Sequence, residues 1–330
     1  MSSVIFRHMN QNLPKNHHYI PQFYLNNFSN DSTRKDNKRI YVLDKLAKDN
    51  KIKLLPIKKI AFQKNLYTYK TRVGKKETLE DMLSKIEGIA AEIIRKIKQQ
   101  KEIDNQDKSN FSLFLSLLQL RVPYAKDEFI NSTKELYETV ARKSIAMMPA
   151  ESMKAFFKKR GKIFTDAEIE DLKDFGKNKK RSKVVVDVPQ GYWIKMMLLL
   201  SVDILPALEI TDWEFRVAEK PFAFFTSDNP FMLIPGRRMN PFEGLGLLTP
   251  DAKKIIPITA NICLIMHEPK EHPVIVYRHA DKVFYNKINH YIMKNSARFV
   301  YSADRGKLEK MIKLEPELSK PMPRRFTVSE

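Results

Sequence analysis

The segment NHHYIPQFYLNNF, residues 16–28, passes from an extended stretch into a helix and decides how the chain begins to fold. Pro21 suits the first helical turn, and it restricts the residue before it to an extended conformation. Neighbouring side chains of an extended stretch point in opposite directions, so His17 and His18 are poor joint ligands of one metal. We expect His18 to face a pocket and His17 to point away. The apolar residues that follow on one helical face are Tyr24, Leu25 and Phe28.

Beyond this segment the chain changes character repeatedly. Short β-type runs occupy residues 39–70 and resemble a small antiparallel meander. Helical periodicity dominates residues about 75–210, as in TLEDMLSKIEGIAAEIIRKIK. Strand-like runs fill residues about 212–278, and two helices close the chain, at about 280–299 and 304–313. This order predicts an α+β fold with a helix-rich central region and antiparallel strands near the N-terminus and in the C-terminal third.

Domain boundaries follow from the same patterns. Residues 1–16 are polar and aperiodic, which predicts a flexible arm. Residues 17–315 are predicted to form a single α+β domain, and residues 316–330, which contain prolines, are predicted to form a tail. Thr165 precedes acidic residues in TDAEIEDL, so we predict it as the N-cap of a helix.

The charge of the chain favours a protein that meets polyanions. Its 330 residues include 59 basic and 39 acidic side chains, which gives a net charge of +20. Such a balance is the electrostatic footprint expected when nucleic acid or another polyanion is a partner. The alternative is that the lysines are spread over a solvated surface and provide solubility without a ligand.

Cysteine usage and hydropathy exclude several classes of protein. Cys263 is the single cysteine, so a disulfide framework and a cysteine-rich zinc site are excluded. No apolar run approaches the roughly 18 residues of a membrane span, and the N-terminus lacks a secretory signal pattern. We therefore predict a cytoplasmic protein without a membrane partner. No nucleotide-binding motif occurs, a divalent metal remains compatible with the sequence, and the pattern predicts no oligomeric state.

The segment FAFFTSDNPFMLIP, residues 222–235, is a pair of apolar strands around a polar break. Ser227, Asp228 and Asn229 have turn chemistry, because Asp and Asn side chains bond to nearby backbone groups. An Asx-type turn between two core strands is one interpretation. The other places the Asp228 carboxylate at a strand end, as a general base, a group that orients an imidazole, or a metal ligand.

The helix predicted at about 107–121 carries polar residues on an otherwise apolar surface. Ser112, Ser116 and Gln119 share one face by their spacing, where they either satisfy one another or line a cavity. Arg121 lies at the helix end. There it either forms a structural salt bridge that compensates the helix dipole, or clamps a carboxylate or phosphate.

The motif from His18 to Leu25 resembles the N-terminal signature of a bacterial family known as domain of unknown function 4238 (DUF4238). The family has arginines where this chain has Asn26 and Asn27, and that difference removes positive charge beside the predicted site. Later segments resemble the family's helix ending in Arg-x-Pro, its Thr-Ser-Asp-Asn-Pro turn and its closing helix. They are, in order, LLQLRVP at 117–123, FFTSDNPF at 224–231 and NSARFVYS at 295–302. The resemblance implies a shared fold and carries no function.

One functional hypothesis is a hydrolase-like enzyme that acts on a phosphate-containing or nucleic-acid substrate. His18 is then the catalytic base or a metal ligand, and Asp228 is the catalytic carboxylate that orients it or binds the metal. The residues predicted to bind the substrate are Gln22, Gln119, Arg121, Ser227 and Asn229.

The alternative is a non-catalytic protein that binds nucleic acid or has a regulatory role, while the same residues form a buried structural network. A third interpretation gives the motif residues a purely structural role. Convergence of His18, Gln22, Arg121 and Asp228 in one open cleft would favour the enzyme. Dispersal of these residues over filled core regions would favour the structural interpretations.

Overall fold

The computed structural model describes residues 15–29, 38–48, 52–71, 74–178, 185–238, 240, 244–268 and 271–322. These residues form two compact units. The first unit comprises the described residues up to Ala125 and from Ile194 onward, and the second comprises Lys126–Trp193. Most of the predicted arm and the end of the predicted tail lie outside the described residues. A single domain over residues 17–315 stays a prediction.

Helices fill the centre of the chain, as the periodicity predicts. They are α1 (Gln22–Leu25), α2 (Glu80–Lys98), α3 (Asn105–Leu120), α4 (Pro123–Met147), α5 (Ala150–Lys158), α6 (Asp166–Lys177), α7 (Gln190–Asp203), α8 (Leu205–Glu209), α9 (Lys282–Asn295) and α10 (Arg305–Leu314). Thr165 is the N-cap of α6, and it forms a capping box with Glu168. Within the described residues, no helix is long and apolar enough to cross a membrane.

Along the sequence, strands precede and follow this helical region. They are β1 (Asn16–His18), β2 (Arg39–Asp44), β3 (Ile52–Pro56), β4 (Phe62–Lys64), β5 (Thr68–Lys70), β6 (Lys76–Thr78), β7 (Asp212–Val217), β8 (Thr226–Ser227), β9 (Met232–Ile234), β10 (Lys253–Thr259), β11 (Ile262–His267), β12 (Ile275–His279) and β13 (Phe299–Ser302). The α+β prediction is confirmed.

The larger sheets are built mainly from antiparallel pairs. A five-stranded sheet has the order β12-β7-β11-β10-β9, in which only the β12–β7 pair is parallel among the described strands. A four-stranded sheet has the order β3-β2-β13-β8. The pairs β1–β4 and β5–β6 form separate two-stranded sheets.

The meander predicted over residues 39–70 is only partly present. β2 and β3 form the expected antiparallel pair, but β5 pairs with β6 instead. The other edge of β2 is taken by β13, where Val300 lies opposite Leu43. This pairing is a long-range contact, so the local alternation of apolar residues could not predict it.

The prediction of a closing helix over about 280–299 is wrong at its end. The helix α9 stops at Asn295, and the segment NSARFVYS continues into strand β13. Phe299, Val300 and Tyr301 are aromatic or β-branched residues, and these favour a strand that is buried on both faces.

The core of the first unit connects both larger sheets with α9 and α10. Its buried members include Leu43, Phe224, Ile265, Ile292 and Leu308. The predicted tail begins inside this core, since a short 3-10 helix at Pro316–Ser319 buries Leu318.

The second unit consists of most of α4 with α5, α6 and the first residues of α7. Met153 and Ile169 are buried in it, and the ring centroids of Phe157 and Phe164 are 4.4 Å apart. Arg142 connects α4 to the end of α6, where its Nη1 donates to the Phe175 carbonyl at 2.8 Å.

Candidate functional site

The two histidines of the N-terminal signature lie in β1 and point to opposite sides, as the extended geometry predicts. His17 is fully buried, so the side that it points to is the protein interior rather than solvent, and a pocket in front of His18 stays a prediction. Its Nδ1 accepts a hydrogen bond from the Tyr67 amide at 2.8 Å, and its ring stacks on the Tyr67 ring at 5.5 Å. The buried environment around Tyr67 explains this orientation, which the spacing of the signature does not reveal.

His18 is half-buried, with its ring edge-on to Phe62 at 5.6 Å. Burial lowers the pKa of His18 below its usual range. A hydrogen bond to the Lys58 backbone opposes this effect, and the Arg121 charge lowers the pKa further. The Nε2 atom is buried and has no hydrogen-bond partner among the described residues. These effects together favour the neutral imidazole.

Arg121 is buried at the C-terminal end of α3 and holds the signature in place. Its Nε donates to the Tyr19 carbonyl at 2.9 Å, and its Nη1 donates to Glu87 of α2 at 2.8 Å. The guanidinium thus forms a salt bridge within the protein. This arrangement favours the structural interpretation of Arg121 over the clamp for a substrate anion.

Asp228 is a buried carboxylate bound to backbone amides. It accepts hydrogen bonds from the amides of Ala297, Arg298 and Phe299 at 2.8–3.0 Å, and its own amide donates to the Phe299 carbonyl at 3.0 Å. Burial raises the pKa of Asp228 to about 6, although the three amides and the charge of Lys45 oppose the rise. The carboxylate therefore attaches its turn to the start of β13.

Lys45 binds backbone carbonyls next to the segment that Asp228 holds. The sequence patterns did not single it out. Its Nζ donates to the carbonyls of Met293, Ser296 and Lys320, the last at 3.0 Å. Burial lowers the pKa of Lys45 to about 8, and the charge of Asp228 opposes this shift. A lysine just after a strand looks like an ordinary surface residue in the sequence, so its buried carbonyl partners could not be predicted.

Tyr19, in the N-terminal signature, interacts with one residue from each of the three later family segments: Arg121, Asp228 and Tyr301. Its carbonyl accepts the bond from Arg121, and its amide donates to the Ala61 carbonyl at 2.9 Å. Burial raises the pKa of Tyr19 above its usual range, and the nearby charge of Asp228 raises it further. The neighbouring Tyr301 hydroxyl is also buried. We call this set the Tyr19 network; its members are Tyr19, Lys45, Arg121, Asp228 and Tyr301.

The remaining predicted site residues have the following surroundings, and their convergence with His18 in one cleft stays a prediction. Gln22 is exposed at the start of α1, and Gln119 is half-buried in α3. Ser227 accepts a bond from the Asn229 amide at 3.2 Å. Asn229 and Asn295 exchange side-chain-to-carbonyl bonds at 3.1 and 3.0 Å. These contacts are those of a buried turn that is fixed to the end of α9.

A metal centre receives no support from the described residues. In that part of the chain, no three His, Cys, Asp or Glu side chains are placed to hold an ion. The oxygens of Asp228 are directed at amide donors. A metal prefers carboxylate oxygens that are free to coordinate it.

A different surface has the charge expected of a polyanion site. A cavity of about 570 Å³ lies between α9 and α10. We call it the lysine groove; its residues used below are Phe222, Lys282, Tyr285, Asn286, Lys287, His290, Lys307, Lys310, Leu314 and Glu315. None of the sequence-predicted site residues lines it.

The basic groups of the lysine groove are of two kinds. Three of them have partners within the protein. Lys307 donates to the Pro221 carbonyl, and Lys287 lies over the Tyr291 ring. The Nδ1 atom of His290 is 3.0 Å from the Oε2 atom of Glu315. Lys282 and Lys310 are exposed, and they have no partner among the described residues. These two lysines come from the two different helices that line the groove, α9 and α10, and are available to an anion.

The bottom of the lysine groove is apolar. The Phe222 and Tyr285 rings lie 5.2 Å apart, and Leu314, which also lines the groove, is 71% exposed. Along α10, the groove residues Lys307, Lys310 and Leu314 follow helical spacing. That pattern is visible in the sequence, but the partner wall comes from α9, and only the fold brings the two helices together.

The fold and the Tyr19 network describe an α+β protein in which residues of separate sequence motifs meet at the buried Tyr19. The chain belongs to the family described as protein of unknown function (DUF4238), whose model matches residues 16–306. No curated protein and no solved structure matches the chain. The matched region contains the whole Tyr19 network and α9 but ends at the start of α10.

Proposed function

We propose that the protein binds nucleic acid, or a chemically similar phosphate-bearing polyanion, without catalysing a reaction on it. The lysine groove carries this proposal, because Lys282 and Lys310 are exposed and unpaired in a groove with an apolar floor. Each lysine that neutralises a phosphate releases condensed counterions, and this release drives the association. The net charge of +20 adds long-range attraction. A cytoplasmic location, where such a partner is accessible, is part of the proposal.

The contacts of His18 and Asp228 support the non-catalytic part. In the pair predicted for a hydrolase, Asp228 orients His18 and must lie within hydrogen-bond reach of it. The Asp228 oxygens accept hydrogen bonds from three backbone amides. The ring of His18, in contrast, bonds to the Lys58 backbone and lies edge-on to Phe62. We therefore assign both residues to holding the fold. Their catalytic roles stay a prediction of the hydrolase alternative.

Charge reversal in the groove tests the binding site. The double variant Lys282→Glu/Lys310→Glu is compared with Lys64→Glu/Lys85→Glu, which changes the net charge equally on exposed lysines of β4 and α2. Fluorescence anisotropy with a labelled single-stranded oligonucleotide at low salt measures both affinities. We expect the groove variant to lose about tenfold or more in affinity, and the control to lose much less. Equal losses would assign the affinity to the charge of the whole surface.

A second arm of this experiment tests for catalysis. The same oligonucleotide, with and without added divalent cations, is incubated with the full chain and with His18→Ala. We expect it to stay intact in every sample. Cleavage by the wild type that disappears in His18→Ala would contradict the non-catalytic proposal and support the hydrolase alternative.

A further inference from the structure

The apolar floor of the lysine groove favours a ligand with an apolar part, which phosphate alone does not have. Phosphate oxygens gain nothing from the Phe222 ring or from Leu314, although both line the groove and Leu314 is largely exposed to water. A planar base has an apolar face that covers such surfaces and an edge that hydrogen-bonds. The floor therefore fits a ligand that carries a base as well as phosphates.

Asn286 adds a hydrogen-bonding group at the same place. It is exposed on α9, lines the groove, and has no partner among the described residues. Its amide offers both donors and an acceptor, which is the chemistry that reads the edge of a base. Asn286 and Tyr285 both line the groove, so the polar group and the aromatic ring belong to the same cavity.

The shape of the site discriminates between paired and unpaired bases. The cavity of about 570 Å³ is in the size range of pockets that enclose small ligands. The bases of a duplex are stacked inside the helix, so a duplex reaches the lysines but leaves the apolar floor uncovered. A single strand can place one base in the groove.

We infer that the lysine groove holds one unpaired nucleotide of a single strand. Its base lies against Phe222 and Leu314 beside Asn286, and its flanking phosphates lie at Lys282 and Lys310. This inference rests on the proposed function and names its ligand class. Lys287 and Lys307 keep their contacts within the protein and add only background charge.

An abasic strand separates this inference from the proposed function. An oligonucleotide of abasic residues has the phosphates of a normal single strand of equal length but no bases. The full-length protein should bind the normal strand at least about fivefold more tightly, since stacking of one base contributes about 1 kcal/mol or more. A duplex of the same length should bind more weakly than the single strand.

Variants of the floor show where the base lies. Leu314→Ala should reduce the difference between the normal and abasic strands, whereas Val283→Ala, at an exposed position of α9 outside the groove lining, should preserve it. Phe222→Leu keeps an apolar side chain but removes the aromatic face, and it should also reduce the difference. If either substitution destabilises the fold, the abasic comparison on the wild type still decides.

Each outcome of these measurements has one meaning. Equal binding of normal and abasic strands, or tighter binding of the duplex, would overturn the unpaired-base inference and leave the proposed function standing. No binding of any strand at low salt would overturn both. A difference between the strands that survives in the floor variants would place the base elsewhere and overturn the assignment to the lysine groove.

Discussion

Asp228 attaches a turn to a strand by accepting hydrogen bonds from three consecutive backbone amides. Burying its carboxylate has an electrostatic cost. Burial disfavours the ionised form more than the amides and Lys45 favour it, so the pKa of Asp228 rises to about 6 from 3.8. The folded protein then binds more protons than the unfolded chain in this pH range. The contribution of Asp228 to stability is therefore complete below about pH 4 and falls as the pH rises through 6.

The substitution Asp228→Asn should remove this pH dependence. Between about pH 4 and pH 7 the free energy of unfolding of the wild type should fall by about 2 kcal/mol relative to the variant. The variant should also lose about 1–3 kcal/mol where Asp228 is protonated, because an amide group replaces one acceptor oxygen and opposes an amide donor. Urea unfolding at several pH values measures both effects. A constant difference between the two proteins across this range would show that Asp228 does not titrate with a raised pKa.

Single residues of the site were predictable in part. The turn chemistry of Ser227, Asp228 and Asn229 was sufficient to predict side-chain bonds to backbone. The partner of Asp228 was not predictable, since Arg298 is 70 residues away and belongs to a segment that helical periodicity assigned to α9. The orientation of His17 and His18 likewise depends on Tyr67, which only the fold places beside them.

Between elements, Arg121 joins the end of α3 to α2 and to the signature segment. It donates to Glu87 and to the Tyr19 carbonyl while buried, so removing it leaves a buried carbonyl and a carboxylate without their donor. The Tyr19 carbonyl is buried and cannot turn to water, so losing its donor costs more than losing an exposed ion pair, whereas Glu87 is partly exposed and can be solvated.

Arg121→Ala should therefore cost about 1–3 kcal/mol of unfolding free energy, mainly from the buried carbonyl that it leaves without a donor. The control is Arg95→Ala, which removes the exposed ion pair of Arg95 with Glu92 in α2 and should cost less than about 1 kcal/mol. Chemical denaturation of both variants gives the comparison. Similar small losses in the two would contradict the structural role of Arg121 and return it to the candidates for ligand binding.

Element types were more predictable than element partners. The amphipathic periodicity of α2 and the cap at Thr165 are local, and both are confirmed. The position of β13 between β2 and β8 depends on contacts between residues far apart in sequence, so no local pattern indicates it. For the same reason α9 and α10, separated by β13, could not be recognised in advance as two walls of one groove.

At the scale of the whole molecule, the basic residues include buried groups that serve the fold and exposed groups that the proposed function uses. Lys45 and Arg121 are buried and bind protein groups, so they offer no charge to a partner. Lys282 and Lys310 are exposed on one groove that also has an apolar floor. The composition predicted a polyanion partner but could not separate these uses, because burial is a property of the fold.

The salt dependence of binding tests the central claim most directly, since each phosphate contact contributes about 0.7 to the slope of log affinity against log salt for a single strand. The measurement is this slope for the wild type, for Lys282→Ala/Lys310→Ala and for the control Lys64→Ala/Lys85→Ala. If Lys282 and Lys310 each contact a phosphate, the groove variant should have a slope about 1.4 smaller in magnitude than the wild type. The control slope should stay close to that of the wild type. Identical slopes in all three proteins, or a larger change in the control, would contradict phosphate binding in the lysine groove.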